Sequence, residues 1–162
     1  MFEGNVTMLA KDTVSSRMAQ ILCTIGDNRY NFASFISFEA KVKKNKTTVA
    51  ILGKSGDGNK ANGWSGTFSG KLHYNTSIFR KMMLDYIRTG QDMYFEIQVT
   101  NEDETSSAGR QTIIYTGCNL DEITMSKFDA SGSAPLDEDV SGTFEDCTMP
   151  EEFNLLDGML LS

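Results

Sequence analysis

A nucleophile relay or a multi-histidine metal site needs imidazoles with partners, and this sequence holds a single histidine, His73. It falls on the polar side of an alternating segment, where it reads as a solvated or interface residue. The acidic pairs Asp121-Glu122, Asp137-Glu138 and Glu145-Asp146 are adjacent in sequence. Adjacent strand residues point to opposite faces, so adjacency builds no acid–base dyad. Cys23, Cys118 and Cys147 are odd in number and widely spaced, which argues against a disulfide framework and against CxxC metal or redox chemistry. They read as small strand residues.

Three local words imitate ligand loops. Gly53-Lys54-Ser55 resembles the end of a P-loop, but Thr48 stands where the first glycine belongs and a strand follows where a helix is required. Gly56-x-Gly58-x-x-Ala61 has the spacing of a dinucleotide fingerprint without its strand-to-helix context. Asp57 and Asn59 open like a calcium loop, yet Ala61 breaks the ligand series and Phe68 occupies the place of the bidentate glutamate. All three read as flexible loop. No catalytic residue, metal ligand or cofactor site is expected, and Met82 and Met83 read as the packing face of a helix.

The 162 residues suit one domain with a sizeable core, and 40% hydrophobic with 23% charged residues is the composition of a soluble globular chain. No apolar run has membrane length. A net charge of −7 disfavours binding to the outside of a nucleic acid, which needs a concentrated basic face. It is compatible with an acidic pore along which a polyanion slides. Met1 to Asn5 begin no basic-then-apolar signal, so cytoplasmic synthesis is the expectation, under which the sequons at Asn5, Asn45 and Asn75 carry no meaning.

The elements follow from periodicity. Residues 1–16 lack a period and are expected to be an N-terminal arm, residues 17–150 a β domain, and residues 151–162 a C-terminal tail. A strand over 17–25 and the turn Gly26-Asp27-Asn28 lead to a long return strand from Tyr30, with Ile36, Phe38, Ala40 and Val42 on its core face. Extended structure continues through residues 47–52, and 54–63 is expected to be a mobile polar loop. Trp64, Gly66, Phe68, Gly70, Leu72 and Tyr74 then alternate with polar residues. Residues 77–89 switch to a helical stripe of Ile78, Phe79, Met82, Met83, Tyr86 and Ile87, with Ser77 or Asn75 to cap it and Gly90 to end it. Strands over 93–100, 110–118, 122–128 and 140–147 complete the pattern. The expected class is mainly β, an antiparallel sandwich or barrel of seven or eight strands with one flanking helix. Long strands with open edges recruit other chains unless covered. The apolar tail residues Phe153, Leu155, Leu156, Met159, Leu160 and Leu161 are expected to dock on a neighbour.

The run Phe38-Glu39-Ala40-Lys41-Val42-Lys43-Lys44-Asn45-Lys46, then Gly53, the Gly-rich loop and Gly66-Thr67-Phe68, resembles the XkdM-like tail tube family of PBSX-type phage particles. Further matches are Met82-Met83-Leu84-Asp85-Tyr86-Ile87 with Gly90, Tyr94-Phe95, Thr143-Phe144-Glu145-Asp146 and Pro150-Glu151, so the likeness spans about residues 34–153. None of these words is catalytic; their shared order carries the likeness, and both termini depart from it.

The resemblance implies a non-enzymatic structural subunit of an inner tail tube, in a contractile phage tail or a phage-tail-like bacteriocin, assembled in a bacterial cytoplasm. It implies hexameric rings whose inner sheets join edge to edge around a lumen. The implied partners are further copies of the chain, a surrounding sheath, and tape-measure and baseplate proteins, with DNA passing without specific binding and no stable membrane association. Lys54, Ser55, Gly56, Asp57, Gly58, Asn59, Lys60, Ala61 and Asn62 are the candidate inter-ring loop. Glu39, Lys41, Thr67, Ser69, Lys71, Thr143 and Glu145 are candidates for the lumen, and Phe153, Leu155, Leu156 and Leu160 for a C-terminal contact. The rival readings are a monomeric carbohydrate-type binding module using Trp64, weakened because Trp64 falls with the core-facing set, a carboxylate enzyme of unfamiliar type, and a sheath or baseplate component.

Overall fold

The computed structural model describes residues 8–160, so the first seven residues of the expected arm, and Leu161 of the tail, lie outside the described residues. Among the described residues there are eight strands, β1 (Ala19–Ile25), β2 (Asn28–Asn31), β3 (Phe35–Val49), β4 (Gly58–His73), β5 (Phe95–Glu102), β6 (Arg110–Ile123), β7 (Asp137–Phe144) and β8 (Asp146–Glu151), and one α-helix, α1 (Ile78–Thr89). The fold is mainly β with antiparallel pairing, as the alternating segments indicate. The chain forms two compact units: one takes the described parts of Met1–Ala33 and Cys147–Ser162 with Glu96–Tyr115, the other Ser34–Phe95 with Thr116–Asp146.

In the first unit β1 pairs with β2 across the two-residue turn Gly26-Asp27, and on its other side with β5. Ile21, Cys23, Phe32 and Ile97 are buried there. The buried Thr112 hydroxyl donates to Glu151 at 2.8 Å and lies 3.1 Å from that of Thr100, so each polar group is satisfied. Residues 9–15 lie against the 103–108 loop: Ser15 N–H donates to Asp103 at 3.0 Å, Ser107 N–H to the Lys11 carbonyl at 3.0 Å, and Leu9 N–H to Asp12 at 2.9 Å. The Thr105 hydroxyl, then the Ser15 amide, hold the Asp103 carboxyl below the usual carboxylate range. The Ser107 hydroxyl, then the Leu9 amide, do the same for Asp12.

The second unit is a four-stranded sheet in the order β6-β7-β4-β3, with the later part of β6 contributing, and α1. Phe68, Leu72, Val140 and Phe144 alternate inward and are buried with Phe79, Phe95, Cys118 and Ile123. Rings tie the helix to the strands: Phe79 meets Phe35 at 6.5 Å and Phe95 at 5.9 Å, while Phe68 meets Phe38 at 6.0 Å. The helix ends as its sequence requires, since Gly90 adopts φ 73° and its N–H donates to the Tyr86 carbonyl at 2.8 Å. At its start Ser77 is the N-cap by position only, because its side chain makes no capping bond.

The most deeply placed charge is Glu138, 2% exposed. The Arg80 guanidinium donates to it, to the carbonyls of Thr76 and Thr124, and lies 4.3 Å from the centre of the Tyr74 ring. One arginine thus fastens α1 to β7.

Five expectations are corrected, two of facing and three of strand bounds. The register shift between Phe35 and Ser37 is a bulge that turns Ile36 out to solvent, half exposed, so Phe35 and Phe38 share the inner face and Ile36 leaves the core set. Val42, also expected inside, is exposed because the strand by then has passed the core. Residues 58–63 are strand, because Val49 to Lys46 pair with Gly58 to Ala61 and satisfy the backbone there. The strand expected at 122–128 is the end of β6, which runs on to Ile123 because Asn119–Ile123 continue the ladder with β7; Phe128 beyond it is exposed. The segment expected at 140–147 is two strands, broken at Glu145.

Candidate assembly surfaces

Antiparallel register places side chains of like parity on one face, and in the second unit it collects the polar ones. Glu39 lies opposite Ser69, which lies opposite Ser141; Lys41 lies opposite Thr67, which lies opposite Thr143; Ser37, Lys71 and Asp139 form a third row. Six of the seven expected lumen residues therefore share one wet face: Glu39, Lys41, Thr67, Ser69, Lys71 and Thr143. The seventh, Glu145, follows the end of β7, where its N–H donates to the Thr116 carbonyl at 3.0 Å. A groove runs over this face, lined by Glu39, Ser69, Lys71, Glu122, Asp139 and Ser141. Charge on it is mixed, and Glu39 and Lys41 pair at 3.0 Å while remaining solvent-exposed. Asn119, Glu122, Asp139 and Ser141 were not among the candidate residues; only strand register, which a single sequence does not display, brings them to this face.

The other face is closed by an interlock of glycine and phenylalanine. A side chain at Gly66 would strike the Phe144 ring, one at Gly70 the Phe35 ring, and one at Gly142 both the Phe68 ring and the Asn119 backbone. The strands pack closely because those positions carry no side chain. Trp64 stands at the margin of this face, tilted against Phe144 at 6.3 Å and 45% exposed.

Beyond the point where β7 stops pairing with β4, at Gly66, β3 and β4 continue as a two-stranded ribbon to Val49 and Gly58. Its residues are almost all exposed on both faces. Of the candidate inter-ring loop, Gly58, Asn59, Lys60, Ala61 and Asn62 belong to the ribbon, where Asn62 donates to the Thr47 hydroxyl at 2.6 Å, and Lys54, Ser55, Gly56 and Asp57 form its turn. In the first unit the tail is held at Asn154, whose N–H donates to the Ala108 carbonyl at 2.7 Å. Phe153 and Leu156 are half-buried, whereas Leu155 is 66% and Leu160 71% exposed. His73 is solvent-exposed on β4 opposite Asp137. Among the described residues no helix is long and apolar enough to cross a membrane.

Comparison with known proteins fits this arrangement. A family model described as phage tail tube protein matches residues 6–151. The phage-like element PBSX protein XkdM of Bacillus subtilis (strain 168) is 31% identical over 149 residues, covering 92% of this chain and 98% of that protein. A chain from the anti-feeding prophage cap, the tube-terminating cap, superposes with a TM-score of 0.65 at 10% identity, over 90% of this chain and 94% of its own. One from the sheath-tube complex of an extracellular contractile injection system, in the extended state, does so with 0.57 at 12% identity, over 80% and 87%. Identities this low show a shared fold. The chain belongs to the phage tail tube protein family, among its XkdM-like members, and is a structural subunit of the tail-tube type.

Proposed function

We propose that this chain forms hexameric rings that stack into the inner tube of a contractile phage tail or an R-type bacteriocin, inside a sheath that drives the tube through a target envelope. The observation that carries the reading is the second unit's sheet: one polar face that needs no cover, and an outermost strand, β3, of 15 residues whose outer edge pairs with no strand among the described residues. An edge of that length is a template for another chain. A closed ring uses heterologous contacts, so each copy offers two different surfaces. In this reading Glu39, Lys41, Thr67, Ser69, Lys71, Thr143 and Glu145 line the lumen, the ribbon tip over 54–62 reaches the next ring, and Phe153, Leu155, Leu156 and Leu160 cover a neighbour. The sheath, tape-measure and baseplate proteins are the further partners, and catalysis has no part in the role.

Negative-stain microscopy of the concentrated purified protein tests this directly. Six-fold rings or hollow tubes are expected. A protein that stays monomeric at high concentration, and is missing from purified particles of its host, would sink the proposal.

A further inference from the structure

The second unit's sheet is split by charge. The adjoining strands β3 and β4 carry Lys41, Lys43, Lys44, Lys46, Lys60 and Lys71 against the single carboxylate Glu39, a net of +5 with His73 neutral. The other two strands carry only acids: Asp137, Glu138 and Asp139 on β7, and Asp121 and Glu122 on the part of β6 that pairs with it. Some of this is answered within the chain. Glu138 is held by Arg80, Asp137 meets Lys127 at 3.4 Å, and Lys71 faces Asp139 across the ladder. Lys43, Lys44, Lys46 and Lys60 on the ribbon, and Asp121 and Glu122 on β6, are exposed and have no ion-pair partner among the described residues.

We infer that this polarity directs how copies meet: the lysine-bearing β3–β4 edge of one copy docks beside Asp121 and Glu122 of a second copy, always in the same sense. The inference deepens the ring reading and rests on it for the partner. Complementary charge selects the encounter and penalises the wrong one, since two lysine edges repel and so do two acidic ones. A head-to-tail pairing is the only one that leaves each copy able to take a further neighbour on its other side. Lysines on an edge strand also serve simply to keep chains apart. The two uses differ in one respect: protection survives a change of sign, whereas direction does not.

Reversing the charges separates them. The variants Lys43→Glu/Lys46→Glu and Asp121→Lys/Glu122→Lys change exposed residues only, and circular dichroism checks that each is folded. Association is followed by sedimentation velocity at low salt and at about 1 M NaCl, where screening acts over about 3 Å. Wild-type association is expected to weaken at least about tenfold in high salt, and each variant alone to associate at least about tenfold more weakly than wild type at low salt. An equimolar mixture of the two variants should recover association, because each then supplies the edge the other needs, and copies should alternate. Variants that associate like wild type, or a mixture that recovers nothing, overturn the inference while leaving the tube in place. So does loss of DNA retention in the lysine variant with self-association unchanged, which would make the ribbon a nucleic-acid contact. Wild-type protein that forms no rings at any salt overturns the ring reading itself.

Discussion

Arg80 ties the helix of the second unit to a buried carboxylate on its sheet. Glu138 is all but sealed from water, and the guanidinium that neutralises it is itself only 12% exposed at the side chain. Removing one partner of a buried pair strands the other charge, which costs about 3–5 kcal/mol, whereas replacing both by apolar groups of like volume is often neutral. Arg80→Ala is therefore expected to lower stability by about 3–5 kcal/mol in urea unfolding, and Arg80→Met/Glu138→Met to restore most of it. A double variant no better than the single would show that the loss is one of packing. Gly142 is the other sensitive point, because backbone as well as ring occupies the space a methyl group would take.

At the scale of elements, two carboxylates fasten residues 9–15 to the 103–108 loop. Hydrogen bonds hold both Asp12 and Asp103 below the ordinary carboxylate value, so the native state favours their ionised forms. A depressed carboxylate contributes its stabilisation in full above the unfolded value of about 3.9 and loses it as pH falls through the folded value below that. Amide exchange at Leu9 and Ser15 is expected to be slow at neutral pH and to lose its protection below about pH 4, before the strands unfold. Protection unchanged at pH 3 would mean that the Ser107 to Lys11 backbone bond alone holds the segment. The legibility of the elements tracks the number of wet faces. Residues 64–74 and 140–144 could be read because each has one core face and one solvated face, which imprints a period of two. So could α1 and its stop at Gly90, but of the expected stripe Phe79 is buried and Ile78, Met82 and Met83 are half-buried, while Tyr86 and Ile87 are exposed. Of the ribbon the β3 half could be read as extended but residues 58–63 could not: both faces there are in water, so Gly58-Asn59-Lys60-Ala61-Asn62-Gly63 show no period of two and look like a loop although a ladder runs through them. Ile36 misled because a bulge changes parity without leaving a mark in composition. Arg80 and Glu138 are 58 residues apart, and nothing local to either announces the other.

At the scale of the whole molecule the ribbon is almost wholly exposed and contributes no buried hydrophobic residue among the described residues. Replacing residues 50–57 by Asn-Gly, the dipeptide of a two-residue hairpin turn, joins Val49 to Gly58 at the observed register. The shortened protein is expected to keep the thermal stability of the parent within a few degrees and to form rings that no longer lengthen into tubes, a difference visible by electron microscopy. Tubes of normal length would assign stacking to other surfaces. How much of the candidate site was legible follows the same logic. Six of the seven expected lumen positions fall on one face, since alternation alone sorts them, while their acidic companions on β6 and β7 needed the register.

The charge split has a consequence for timing. At low ionic strength, where the Debye length reaches about 30 Å, two approaching copies first sense each other's net −7 and repel, while at contact in one orientation the lysine edge and the acidic strand attract. A long-range barrier over a short-range well slows the first encounter more than the later ones, where an incoming copy meets several neighbours at once. Free subunits should therefore accumulate above the concentration at which a finished tube is stable, and polymerise promptly once a starter ring exists. Growth from a seed, rather than spontaneous initiation, is how such a chain would set the place where a tail begins.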